Sequence, residues 1–439
     1  MSTVEVTFGP LLLVLFCLGV TLWERQRCGT ALAPFETLAW PYAAIVVLIN
    51  FGGRHFGFFP VSLKSILFVL ACLMFFILGN GAAGVLSEDR RLPGRAFFNR
   101  RDARGCFSAY RNLFVCLAVV TTVFGFIHFF RSINQVGWLG IASSEFKESF
   151  GKGPLAHVVV LGRPAFLFLF ASYCVNRKLS HLILLGFMFA LVLLLQIKNN
   201  ILVLLLAGLY FSLFYRLIRV NWKKILVVLA VIYCLFNVSY IIGFSRIGVG
   251  ASYSNKIQLY LLNHFFAYLF GGPIGFSEIL QDPTYPLYTI QEVFAVPVNL
   301  YRNFVTNDVL VDLIFHHWIP ISSIYQYFHT SNVFTLFGML YMYIGSMGAW
   351  MVMFFLGAGA GLVRFAALRR PGALGWQMVY ALFLGYLTIS FFGLYFNIII
   401  VYETAVYMLA VPMIYNGIRS GCHRVRRSLV RSEGVTDHV

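Results

Sequence analysis

Long apolar runs alternate with short polar joints along most of this chain. Runs of about 17 to 25 residues, enough to carry a helix across ~30 Å of hydrocarbon, fall near 7–23, 34–52, 62–86, 113–132, 157–175, 181–196, 201–217, 225–244, 336–362, 374–393 and 399–417. The windows 181–196 and 201–217 share the polar hinge Lys198-Asn199-Asn200 and are read as two spans. The expected fold is an all-α integral membrane protein of about 11 transmembrane helices, with one large structured outer loop between spans 8 and 9. It divides into spans 1–8 over 1–244, the outer loop with interfacial helices over 245–335, spans 9–11 over 336–417 and a basic tail over 418–439. The first run is expected to be a retained span: "MSTVEV" carries Glu5 and no Lys or Arg before the apolar stretch, the reverse of a secretory signal.

Composition agrees. The 439 residues are 60% hydrophobic and only 11% charged, with a mean hydropathy of +0.81, which excludes a soluble globule with a polar skin. Net charge is +17, and its placement is informative. With the N-terminus outside, 23 of the 33 Lys and Arg fall in inner joints and the tail, the bias expected of cytoplasmic segments. The excess charge then reflects topology and attraction to anionic membrane lipids, and no nucleic-acid partner is expected. Of the eight cysteines, five fall within spans and Cys28, Cys106 and Cys422 on the inner side, so neither a disulfide nor a cysteine metal site is expected.

The outer loop, about ninety residues from Phe244 to Phe334, is where a site is expected, because long structured loops are usually functional. "IQLYLLNHFFAYLFGGPIGF" (257–276) and "VLVDLIFHHWIP" (309–320), both rich in aromatics, are expected to lie as interfacial helices. Arg246 and Arg302, with Arg163 and Lys198 near outer helix ends, place cations at the depth of a lipid phosphate. Guanidinium forks bind phosphate oxygens with charge-assisted bonds of about 1.5–3 kcal/mol each. Arg163, Arg246 and Lys198 also fit plain snorkelling from helix ends, whereas Arg302 sits mid-loop among aromatics. Adjacent His316 and His317 without carboxylates at ligand spacing fit a solvated loop, and Glu403, just inside the last span, fits one half of a structural pair. There is no Asp-X-Asp, His-Glu-X-X-His, Gly-X-Ser-X-Gly, P-loop or dinucleotide fingerprint. No metal and no cofactor is expected, and cations would do a metal's work.

"HTSNVFTLFGMLYMYIGSMGAWMVMFFLGAGAGLV", from His329, resembles the pattern of the Wzy-type oligosaccharide repeat-unit polymerases that build O-antigen and capsular polysaccharide. The shared features are a Ser-Asn-Val-(Tyr/Phe)-Thr opening, an aromatic-X-X-X-Gly step, a Gly-rich span and the long outer loop led by Arg246. The resemblance implies a glycosyltransferase of the bacterial inner (cytoplasmic) membrane, N-terminus periplasmic and C-terminus cytoplasmic. It would join polyprenyl-diphosphate-linked oligosaccharide units by metal-independent, inverting transfer on the periplasmic face, with a chain-length regulator protein and a flippase as candidate partners. Arg246 matches the basic residue opening the family's large loop, and Asn332 and Thr335 fall on its Asn-Val-X-Thr element. Where the family begins an earlier span with a Ser/Gly-Arg pair, this chain has "IKNN", so Lys198 would stand in as a point charge. In such a site Arg246 and Arg302 stabilise the leaving diphosphate, with Arg163 or Lys198. His329 accepts the attacking hydroxyl's proton, with Glu292 or His317 in reserve. Ser331, Asn332 and Thr335 orient sugar hydroxyls, or alternatively cap a helix.

Two other classes stay open. An O-antigen ligase-like transferase differs only in its acceptor, and a lipid-linked oligosaccharide flippase or transporter would carry its charges at the midplane of the spans. An acyltransferase is less favoured, because no histidine–acid pairing at a membrane face is visible in the sequence.

Overall fold

The computed structural model describes residues 3–28, 32–86, 100–141, 143–194, 198–219, 254–282, 289–311, 317–323, 330–369 and 372–433, with isolated positions at 313 and within 221–237. The expected eighth span, 225–244, therefore lies largely outside the described residues. The α-helices that build the molecule are α1 Thr3–Cys28, α2 Pro34–Val47, α3 Leu63–Leu86, α4 Arg100–Val136, α5 Ser144–Gly151, α6 Pro154–Asn176, α7 Leu179–Leu194, α8 Lys198–Phe214, α9 Ser254–Gln281, α10 Ile290–Val293, α11 Ala295–Tyr301, α12 Leu336–Arg369, α13 Leu374–Thr388 and α14 Ile399–Glu433. The described sheet is one two-residue pair, β1 Ile319–Pro320 against β2 Thr330–Ser331. This is an all-α membrane protein: among the described residues seven helical stretches are long and apolar enough to span, including Leu63–Val85, Pro154–Asn176, Leu336–Arg369 and Ile399–Ser420. Helices α7 and α8 are apolar but shorter.

The helices run alternately up and down, as side-chain pairings along their lengths show. Helix α4 opposes α6, with Phe107 against Phe168 at one end and Thr121 against Gly162 further along. Helix α13 opposes α8, Tyr380 lying on Phe214 and Thr388 bonding Tyr210. Helices α6 and α14 run parallel. All ends thus sort to two faces: a loop face, carrying α5, α10, α11 and both strands, and a tail face, where α14 ends.

The most extensive helix pair is α3 with α12, and the two run in the same direction: Phe68 meets Tyr341, Phe75 stacks on Trp350 and Gly361 lies on Ala83. Glycines allow that approach. A Cβ on Gly79 would lie 1.9 Å from the Phe354 carbonyl oxygen, and one on Gly357 2.0 Å from that of Phe76, so small residues let two backbones touch where lipid supplies no hydrophobic drive. Between these contacts α12 breaks at Gly345, whose φ of 69° and ψ of −175° belong to a region essentially reserved for glycine.

Two expectations for the outer loop fare differently. Residues 257–276 do form a helix, α9, but its second half is a packed wedge: Phe270 to Leu280 is almost wholly buried. Gly271 lies against Ser331 and Gly272 against the Phe391 carbonyl. Residues 309–320 are not helical where described; they end in β1. Pro320 cannot donate within a helix; Val311 N donates to Asn299 Oδ1 at 2.7 Å, β1 pairs with β2, and just beyond it Phe59 N donates to the Ile321 carbonyl at 3.0 Å. Buried Asn50 fixes that first loop, its amide bonding the Val6 and Val61 carbonyls while its oxygen accepts from Val61 N.

Candidate functional site

Where α6 and α14 lie side by side at the loop face, their apolar sequences are interrupted by polar side chains that meet. His157, one turn into α6, places Nδ1 2.7 Å from Glu403 Oε1 on α14. Arg163 sits six residues deeper. Side chains on a helix lean toward its N-terminus, so Arg163 climbs toward the loop face and its Nη1 donates to Thr404 Oγ1 at 3.2 Å. Thr404 in turn donates to the Ile400 carbonyl at 2.6 Å, which fixes its oxygen as the acceptor for Arg163. Next along α6, Pro164 lacks the N–H that would close the helix onto Val160.

Arg163 is only 5% exposed. Glu403 lies within electrostatic range, and the Tyr386 hydroxyl approaches the guanidinium without reaching hydrogen-bond geometry. Tyr386 closes α13, and the chain then turns back through the irregular segment 389–398, held by Ser390 Oγ donating to the Tyr386 carbonyl and by Leu336 N donating to the Ser390 carbonyl. Irregular backbone at such depth is tolerated where protein encloses it. From this region Tyr386, Tyr395 and Asn397 each bury a polar oxygen with no partner in hydrogen-bond geometry among the described residues. An unpaired buried polar atom costs about 1–3 kcal/mol, and these three are hydrogen-bonding capacity available to a polar ligand. On its other side Arg163 lines a narrow, mostly apolar cavity with Thr121, Val159, Phe166, Met188 and Leu204. The space is water-sized, about 10 Å³, and the arrangement sets a buried cation beside hydroxyl groups and an apolar wall from α4, α7 and α8.

Of the ten residues singled out from sequence, Arg163 belongs to this cluster and Glu292 borders it: the Glu292 carbonyl accepts from Asn397 Nδ2 at 3.0 Å, while its carboxylate accepts from Thr289 Oγ1 at 2.6 Å. The others lie elsewhere. Arg302 clips the loop to itself, donating to the Val309 carbonyl at 2.8 Å and to Gln291 Oε1 at 2.7 Å. Ser331 is buried and accepts from Val333 N at 3.1 Å; Thr335 is wholly buried and accepts from Gly338 N at 3.0 Å, so it takes the helix-cap alternative at the start of α12. Asn332 and His317 stand on the loop face nearby. Lys198 begins α8, and Arg246 and His329 lie outside the described residues.

His157, Thr404, Tyr386, Tyr395 and Asn397 were not picked out by sequence, and the expectation that no histidine–acid pair occurs at a membrane face is corrected by His157 and Glu403. They are 246 residues apart in the chain, so only the packing of α6 on α14 could bring them together. The pairing expected of Glu403 is present, and the depth of that carboxylate was the available signal.

A family profile described as a family of unknown function (DUF6337) matches residues 57–417. The chain belongs to this family. The match takes in the whole cluster and most of the helical body, starting only after α2. No curated protein and no solved structure matches the chain.

Proposed function

We propose that this protein is a membrane glycosyltransferase that polymerises polyprenyl-diphosphate-linked oligosaccharide repeat units into O-antigen or capsular polysaccharide. The observation that carries the reading is Arg163: a buried cation, with Thr404 and Tyr386 around it, at the end of the molecule that bears the large loop. In the membrane the loop face is periplasmic and the tail face cytoplasmic, with about eleven spans and the N-terminus outside. The joints carrying Arg25, Arg104, Arg177 and Arg369 support this, since all reach the tail face. A diphosphate on Arg163 has its leaving charge stabilised in a site largely closed to water, the polyprenyl chain runs into the apolar surface of α4, α7 and α8, and the sugars extend to the loop face.

The test is the surface-glycan ladder of cells lacking the gene, with and without its restoration. Single capped repeats in place of a ladder support a polymerase. Loss of even the single repeat points to a ligase-like transferase or a flippase. The His157–Glu403 pair favours a second reading, acyl transfer, under which the ladder keeps its length and the glycan loses acyl groups.

A further inference from the structure

Glycosyl transfer, the reading on which this inference rests, requires the acceptor sugar's hydroxyl to give up a proton as it attacks. We infer that His157 is the general base that takes it, and that Glu403 is its positioning residue. An ionised carboxylate can only accept hydrogen bonds, so the 2.7 Å contact from Glu403 Oε1 assigns the proton to His157 Nδ1 and leaves the lone pair on Nε2. The ring is 61% exposed at its side chain while Glu403 is only 15% exposed: the orienting group is enclosed and the base faces the loop side, where a sugar hydroxyl arrives.

Depth supplies the second argument. His157 and Arg163 share one helix, and six residues separate them by about 9 Å of helix rise, less the climb of the Arg163 side chain. With the diphosphate on Arg163, the anomeric carbon lies on its loop side, and a hydroxyl entering opposite the leaving group comes from the direction of His157. The step balances. The hydroxyl proton passes to Nε2, the oxygen forms the new glycosidic bond, the anomeric C–O bond to the diphosphate breaks, and polyprenyl diphosphate leaves with the electron pair; the imidazolium, held against Glu403, then returns its proton to water. Besides Glu403, the charged and titratable groups facing this pair among the described residues are Arg163 on the same helix and Tyr407, one turn along α14.

The experiment uses cells lacking the gene and restored with wild type, His157→Ala, His157→Gln, Glu403→Gln or His329→Ala, each at matched membrane abundance, and reads the surface-glycan ladder. His157→Ala and His157→Gln should lose the ladder, a rate loss of about 10²–10⁴-fold for a missing base. Free imidazole in the medium should restore it to His157→Ala, because the exposed ring position is open to a small base. Glu403→Gln should keep a weakened ladder, since its amide oxygen can still accept from Nδ1 and hold the ring but carries no charge to set against the imidazolium. A full ladder from His157→Ala beside a lost one from His329→Ala overturns the assignment, as does a loss in His157→Ala that imidazole cannot repair, which makes the pair a clamp between α6 and α14. If the wild-type gene itself leaves the ladder unchanged, the glycosyl-transfer reading has failed and not the identity of the base.

Discussion

Burying a guanidinium carries a desolvation penalty of several kcal/mol, recovered only through good partners, and Arg163 has one hydrogen-bonded hydroxyl and a carboxylate at electrostatic range. The residue is therefore costly as pure structure and informative as a site. Arg163→Ala should lose at least one charge-assisted contact to the anion, about 1.5–3 kcal/mol or some ten- to hundredfold in ladder formation. Arg163→Lys should retain part of it. Arg302→Ala should act differently: the side chain serves the Gln291 side chain and the Val309 carbonyl, so its loss should loosen the loop, read as faster proteolysis between residues 289 and 311, with activity reduced less than in Arg163→Ala. Arg163 was legible in the sequence as a cation near an outer helix end. Its surroundings were not, because Thr404 and Tyr386 look like ordinary residues of apolar helices until distant segments are packed against each other.

Among the helices, apolar length located the spanning segments well: α3, α6 and α12 fall almost where hydropathy puts them. Exceptions arise where a local feature overrides length. Helix α13 stops at Thr388, short of the expected 393, because Ser390 folds back to bond the carbonyl of Tyr386. Helix α12 breaks at Gly345, inside one uninterrupted apolar run. Replacing Gly345 by Ala should cost about 1–3 kcal/mol, because its backbone angles suit glycine alone. The close contact of α3 on α12 leads to a larger effect: Gly357→Val places its Cβ onto the Phe76 carbonyl, and overpacking of this kind costs about 1–3 kcal/mol or more. Melting of each variant in detergent micelles, against wild type, checks both; an unchanged melting temperature for Gly357→Val would mean that the two helices are not in contact as described.

Across the molecule as a whole, the up-and-down order of helices separates a face rich in loop structure from a face where most basic joints collect, and the Arg163 cluster belongs to the first. Single cysteines placed in α5 and near residue 420 should label from opposite sides of the membrane with an impermeant maleimide. The all-α membrane class was readable from hydropathy, because the long apolar runs fold as the long apolar helices. The cluster around Arg163 was not legible as a cluster, because the sequence drew attention to the loop while packing brought buried polar groups of α6, α13 and α14 together. Polymerisation centred on Arg163 is best tested with the purified protein in lipid vesicles, supplied with polyprenyl-diphosphate-linked repeat units and no other enzyme. Chains of several repeats and free polyprenyl diphosphate from wild type, formed some ten- to hundredfold more slowly by Arg163→Ala, are the predicted result. Single repeats persisting with wild type, or full chains from Arg163→Ala at the wild-type rate, would contradict it.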